Sequence, residues 1–132
     1  MIDEVRKLEL IKTAQAASRN AYSPYSGFKV GAALLTANGK IYSGCNVENA
    51  SYSMTICAER NAVFQAVADG EKTIIAVAVY ADSELAFPPC GACRQVLAEF
   101  AEDMAIFVAN RNEVKETSLA ELLPERFTLI HD

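Results

Sequence analysis

Two apolar runs leave this chain few ways to fold. "TIIAVAVYA" (residues 73–81) and "MAIFVAN" (residues 104–110) are almost unbroken. A strand with one wet face alternates apolar and polar side chains, and these do not. They read as strands buried on both faces. "CGACRQVLAEFA" lies between them and reads as a helix. Upstream, "KVGAALLT", "ANGK" and "IYSGC" read as strand, Asn38-Gly39 turn and strand, a β-hairpin. A helix follows from about Ile56 to Asp69, with Gly70 as its C-terminal stop. The opening segment from Ile2 to about Arg19 spaces Val5, Leu8, Ile11, Ala14 and Ala17 along one expected buried helix face. A weaker strand near Val114 and a short last helix, capped by Ser118 and Glu121, close the chain. Helices alternating with apolar strands imply an α/β sheet covered on both faces, and the hairpin makes that sheet mixed.

Composition narrows the function. At 132 residues, 52% of them apolar, the chain is expected to form one domain spanning 1–132 with a core of its own. Lys and Arg number 12 against 17 Asp and Glu. A net charge of −5 and the lack of a basic stripe argue against a nucleic-acid partner. No apolar stretch reaches the length of a membrane span. The acidic, amphipathic start "MIDEVRKLEL" is unlike a signal peptide. The expected compartment is the cytoplasm, where clustered cysteines point to metal or catalysis rather than disulfides.

The chemistry concentrates in "TICAERNAVF" and "PPCGACRQV". Cys57 opens one expected helix; Cys90 and Cys93 open another. Unpaired N–H groups and the helix dipole favour thiolate at both places. Three thiolates suit zinc. Glu59 lies two residues after Cys57, so a carboxylate leaning over the open first turn can reach water on that metal and move its proton. A closed structural site would instead need Cys45 or His131 as fourth ligand. Cys45 reads as a small packed hydrophobe, and His131 sits next to the chain's end. A redox CxxC pair is the other rival, but it leaves Cys57 and Glu59 without a role.

Cys57-Ala-Glu59 followed by Pro89-Cys90-Gly-Ala-Cys93 resembles the zinc deaminase signature in its three-cysteine form. "PYSGFKVGAAL", "GCNVENASYS", "CAERNA", "PCGACRQVL" and "ELLPERF" together resemble the small cytidine deaminase family over nearly the whole chain. The resemblance implies a three-layer α-β-α sandwich with a mixed five-stranded sheet. It implies one Zn2+ per subunit, held by Cys57, Cys90 and Cys93, with Glu59 as proton shuttle. The implied reaction is hydrolytic deamination of cytidine and 2′-deoxycytidine, a step of pyrimidine salvage. The implied assembly is a homotetramer with active sites at subunit interfaces.

Other positions carry over singly. Asn46 and Glu48 resemble the pair that binds the ribose 3′-hydroxyl. Phe28 resembles the aromatic packed on the pyrimidine. The Ala58 N–H and the Pro88 carbonyl resemble backbone groups that read the base. Tyr52 and Phe127 resemble residues that close the site near a subunit interface, although "FTLIHD" departs from the ending many relatives show. Arg60 resembles the arginine that drains charge from a cysteine sulfur, and Arg94 is a second candidate for that work. Competing readings are a deaminase of another aminopyrimidine nucleoside, such as blasticidin S, and a zinc-stabilised interaction module. The ribose-loop sequence "NVENASYS" favours cytidine.

Overall fold

The structure, a computed structural model, describes residues 2–129. Its elements run α1 (Glu4–Ser18), β1 (Val30–Thr36), β2 (Ile41–Cys45), α2 (Ala58–Ala68), β3 (Ile74–Ala81), α3 (Gly91–Ala98), β4 (Ala105–Ala109), β5 (Val114–Ser118) and α4 (Leu119–Leu122). The strands form one mixed sheet in the order β2-β1-β3-β4-β5. Only β3 and β4 pair in parallel; the other neighbours are antiparallel.

The period of two along each strand divides the core. Ala32, Leu34, Val77, Val79, Ile106 and Val108 face α2, α3 and α4. Ala33, Leu35, Ala76, Ala78, Tyr80, Phe107 and Ala109 face Leu10 and Ala14 of α1. The result is the three-layer sandwich, with the apolar runs at its centre. Phe107 is wholly buried; burying such a side chain is worth about 1.5–3 kcal/mol.

Two glycines set how close the helices come. A Cβ at Gly31 would lie 1.9 Å from the Ala14 carbonyl oxygen of α1. One at Gly44 would lie 2.6 Å from the Ala62 amide nitrogen of α2. The hairpin turns at Gly39, with φ at +83°, and α2 ends at Gly70, with φ at +87°, as the sequence leads one to expect.

The face of α1 differs from expectation. Leu10, Ala14 and Ser18 are buried, while Val5 and Leu8 are exposed. The helix carries two apolar stripes, and periodicity does not rank them. Ala14 belongs to both stripes; its close approach to Gly31 fixes the helix there, and Leu10 packs on the sheet where Val5 and Leu8 were expected. The Ser118 cap forms, its hydroxyl accepting from the Glu121 N–H at 3.2 Å. Glu121 does not reciprocate; its carboxylate accepts from the Thr117 hydroxyl.

Candidate active site

The register places three chain ends together. Val30 at the start of β1 pairs with Ala81 at the end of β3, and Gly31 pairs with Cys45 at the end of β2. The segments leaving β2 and β3 therefore emerge at one edge of the sheet, and they lead into α2 and α3.

Cys57 is the N-cap residue of α2 and Cys90 that of α3; neither uses its side chain as a cap. Their sulfurs are thus free to turn outward, and Cys93 joins them from the first turn of α3. The three Sγ atoms lie within 4.8 Å of one another, and among the described residues no fourth ligand joins the group. Tetrahedral zinc at its usual Zn–S distance asks for sulfurs about 3.8 Å apart, a spacing within that bound. Arg60 aims its Nη2 at Cys57 Sγ, 3.5 Å away. Its Nε is buried without a hydrogen-bond partner. A guanidinium turned from other acceptors toward sulfur suits an anionic thiolate cluster, so the donor set fits zinc.

The thiols share protons unequally. Cys57 is pushed down to about 5, mainly by the hydrogen bond from Cys93 and further by Arg60. Cys93 is pushed up by donating that bond and by burial. Glu59, in the first turn of α2, is 5% exposed. Burial raises its carboxyl to about 7, and the nearby Cys57 charge adds to this.

Beside the sulfurs is a cavity of about 230 Å³, lined in part by Asn46, Glu48, Tyr52, Ala58, Glu59 and Pro88. The "NVEN" side chains are tied to the chain as well. Asn46 Oδ1 accepts from the Val30 N–H at 2.9 Å, and its Nδ2 donates to the Phe28 carbonyl at 2.8 Å. Glu48 Oε1 accepts from the Tyr25 and Ser26 N–H groups at 2.9 and 3.1 Å, and its Oε2 from the Ser26 hydroxyl. The Ser26 hydroxyl is the main reason Glu48 lies below the usual carboxylate range. Each polar head keeps unused lone pairs.

The remaining positions divide. Phe28 stands edge-on to Phe87, ring centres 5.4 Å apart, and Phe87 lines the cavity. Tyr52 stands edge-on to Tyr25 at 6.3 Å. Phe127 does not reach this cavity. It is 67% exposed and lines a separate depression with Gln95, Glu99 and Leu129. Cys45 stays outside the sulfur cluster, its carbonyl accepting from Asn61 Nδ2 at 2.8 Å. His131 lies outside the described residues. Arg94 departs from the expected work on sulfur: its Nε donates to the Pro89 carbonyl at 2.6 Å and its Nη1 to the Leu122 carbonyl at 2.9 Å. Those acceptors lie within its reach, while Arg60 serves Cys57. Sequence reasoning missed Ser26 and Phe87. The signal for Phe87 was a large apolar residue in a proline-rich loop just before a ligand pair; Ser26 offered none beyond its turn.

A three-cysteine cluster beside a buried carboxylate, both at helix starts at one end of a mixed α/β sheet, defines a zinc hydrolase centre. The cytidine and deoxycytidylate deaminase zinc-binding region matches residues 5–115. A cytidine deaminase of Sporosarcina psychrophila is 52% identical over 91% of this chain and 90% of its own length. The cytidine deaminase structure from Burkholderia pseudomallei superposes with a TM-score of 0.86 at 47% identity, covering 91% of this chain and 98% of that one. A blasticidin-S deaminase of Bacillus cereus is 33% identical over 92% of this chain and 91% of its own. The chain belongs to the cytidine and deoxycytidylate deaminase family.

Proposed function

We propose that this protein hydrolyses cytidine and 2′-deoxycytidine, with one water, to uridine and 2′-deoxyuridine plus ammonia. The observation that carries the reading is Glu59. A buried carboxylate shares a cavity wall with two of the three clustered cysteines, in a space lined by groups suited to a base and a sugar.

Cys57, Cys90 and Cys93 hold one zinc ion in each subunit. Bound there, zinc supplies Lewis acidity that makes a water nucleophilic near neutral pH. Glu59 takes one proton from the attacking water and places it on N3 of the ring, then takes the second from the hydroxyl newly bonded to C4 and passes it to the amine as the C4–N bond breaks. The carboxyl group ends the cycle as it began. Arg60 offsets thiolate charge, which otherwise makes the metal a weaker acid. The Ala58 N–H and the Pro88 carbonyl address the pyrimidine edge, and Phe28 packs on the ring. Asn46 and Glu48 accept the ribose hydroxyl through their remaining lone pairs. Residues 1–132 act as one catalytic domain.

Tyr52 and Phe127 close the site from a subunit interface in a homotetramer. The exposure of both rings supports this: Tyr52 is 57% and Phe127 67% accessible in the single chain. The enzyme serves pyrimidine salvage in the cytoplasm; among the described residues no helix is long and apolar enough to cross a membrane.

The test follows the ultraviolet spectra of cytidine, free cytosine and blasticidin S with purified protein. Loss of the cytidine band with cytosine untouched supports the reading. Turnover of blasticidin S alone would transfer it to another aminopyrimidine nucleoside, the second reading, which rests on the Bacillus cereus relative.

A further inference from the structure

Cys90 is held unlike the other two sulfur-bearing residues. Cys93 is wholly buried in α3 and Cys57 is half-buried beneath α2, but Cys90 is exposed at a loop end. The residues before it are Pro88 and Pro89, and neither has an N–H to donate. Pro89 is wholly buried and anchors the loop by packing; the two prolines can be hydrogen-bonded only through their carbonyls, by donors brought from elsewhere.

Arg94 brings them. Its Nε donates to the Pro89 carbonyl at 2.6 Å, the carbonyl of the peptide that joins Pro89 to Cys90. Its own backbone N–H donates to the Cys90 carbonyl at 2.9 Å. The second bond is the first backbone bond of α3, which other residues at 94 would also make; the bond to Pro89 belongs to the arginine side chain. The far side of the same guanidinium donates to the Leu122 carbonyl at the end of α4, 2.9 Å away. That end is fastened to α3 twice more: Gln95 Nε2 donates to the Phe127 carbonyl at 3.0 Å, and Arg126 Nη1 donates to the Ala98 and Ala101 carbonyls at 3.0 and 2.5 Å.

We propose that Arg94 is a positioning residue that presets Cys90 for the metal by bracing the Pro89–Cys90 peptide against the end of α4. The inference rests on Cys90 as a zinc ligand. A planar fork can serve two carbonyls lying in different directions, whereas a lysine ammonium on a single stem cannot span both. Without the brace, Cys90 must be ordered when the metal binds, and the affinity falls by that cost.

The experiment measures zinc affinity of the full-length chain by competition with a chromophoric chelator, and records the thiolate-to-cobalt absorption after loading with Co2+ alone. Circular dichroism confirms folding. Arg94→Met is expected to bind zinc on the order of 10–100-fold more weakly, the usual range for groups that orient ligands. Arg94→Lys should fall between it and the parent. Affinity within twofold of the parent in folded Arg94→Met overturns the proposal. If Arg94→Met does not fold, Arg94→Lys decides by the same criterion. Failure of both to fold makes Arg94 a residue of the fold alone and also overturns it. Cys90→Ala is the control: parental affinity there would overturn the ligand assignment itself, a result distinct from failure of Arg94.

Discussion

The helices α2 and α3 both begin on a cysteine, and they are anchored by different forces. The start of α2 is set by packing. Ala58 and Glu59 are buried, and Gly44 lets the helix backbone settle directly on β2. The approach to α2 is stitched as well: Val47 bridges to Ile56 and to Tyr22, and Glu48 holds the Tyr25–Ser26 turn. The start of α3 is packed only at its flanks, Pro89 and Cys93, both wholly buried. Cys90, Gly91 and Ala92 are exposed, and a Cβ at Gly91 would meet nothing within 4 Å. Its geometry comes from Arg94 and its bonds to carbonyl oxygens. One side of the metal centre is thus built from close contact throughout, and the other adds hydrogen bonds to a distant helix where Cys90, between Pro89 and Cys93, lacks such contact. The carboxylate assigned to proton transfer sits on the packed side, where its surroundings vary least.

The largest effect should come from Glu59 on that packed side. Glu59→Gln should keep zinc, shown by metal analysis, and lose about 10²–10⁴-fold in turnover, the usual worth of a positioned acid–base group. A variant that loses the metal too would make Glu59 structural, and the contrast between the helix starts would lose its chemical meaning.

Next come the paired glycines. Gly44→Ala forces a methyl against the α2 backbone and should cost at least about 1–3 kcal/mol of stability, the range for overpacking. Gly91→Ala meets open space and should be neutral or stabilising by about 0.4–1 kcal/mol. Denaturant midpoints for the two variants compare them directly; equal costs would mean that α3 is packed as tightly as α2.

The two sides should also differ in acid. Glu48 has a lowered folded pKa, so its contribution is fully present above the unfolded value of about 4.3. It is lost as pH falls through the still lower folded value. The stability gap between the parent and Glu48→Gln should therefore be constant near neutrality and close below about pH 4.3. Metal loss in acid is common to both proteins and drops out of the difference. No carboxylate takes part in the Arg94 brace, which joins the side chain to two backbone carbonyls. A gap that persists unchanged at low pH would show that Glu48 contributes through shape rather than charge.

The smallest effect belongs to α4. Ser118→Ala removes the hydroxyl that accepts from Glu121 N–H and should cost about 0.5–2 kcal/mol, toward the lower end in so short a helix. Thermal unfolding measures it. No change would mean that α4 is held by its bonds to α3 alone.

What sequence by itself determined here is local. Strand burial in "TIIAVAVYA", the Asn38-Gly39 turn and the stop at Gly70 depend on neighbours in the chain. So does the placement of Cys57, Cys90 and Cys93 at helix starts. Helix ends and apolar runs are written in short windows, which is why the metal side of the site was legible. The tertiary structure decided what depends on distance. It kept Ala14 on the inner face of α1, as expected, but joined it with Leu10 and Ser18 in place of Val5 and Leu8, because only contact with the sheet separates two similar stripes. It gave Asn46 and Glu48 backbone duties that their residue types do not announce. It sent Arg94 to Leu122, 28 residues away, rather than to sulfur. A long cation finds its acceptors only after the chain has folded, because what it bonds is set by which carbonyls the fold leaves unpaired within its reach.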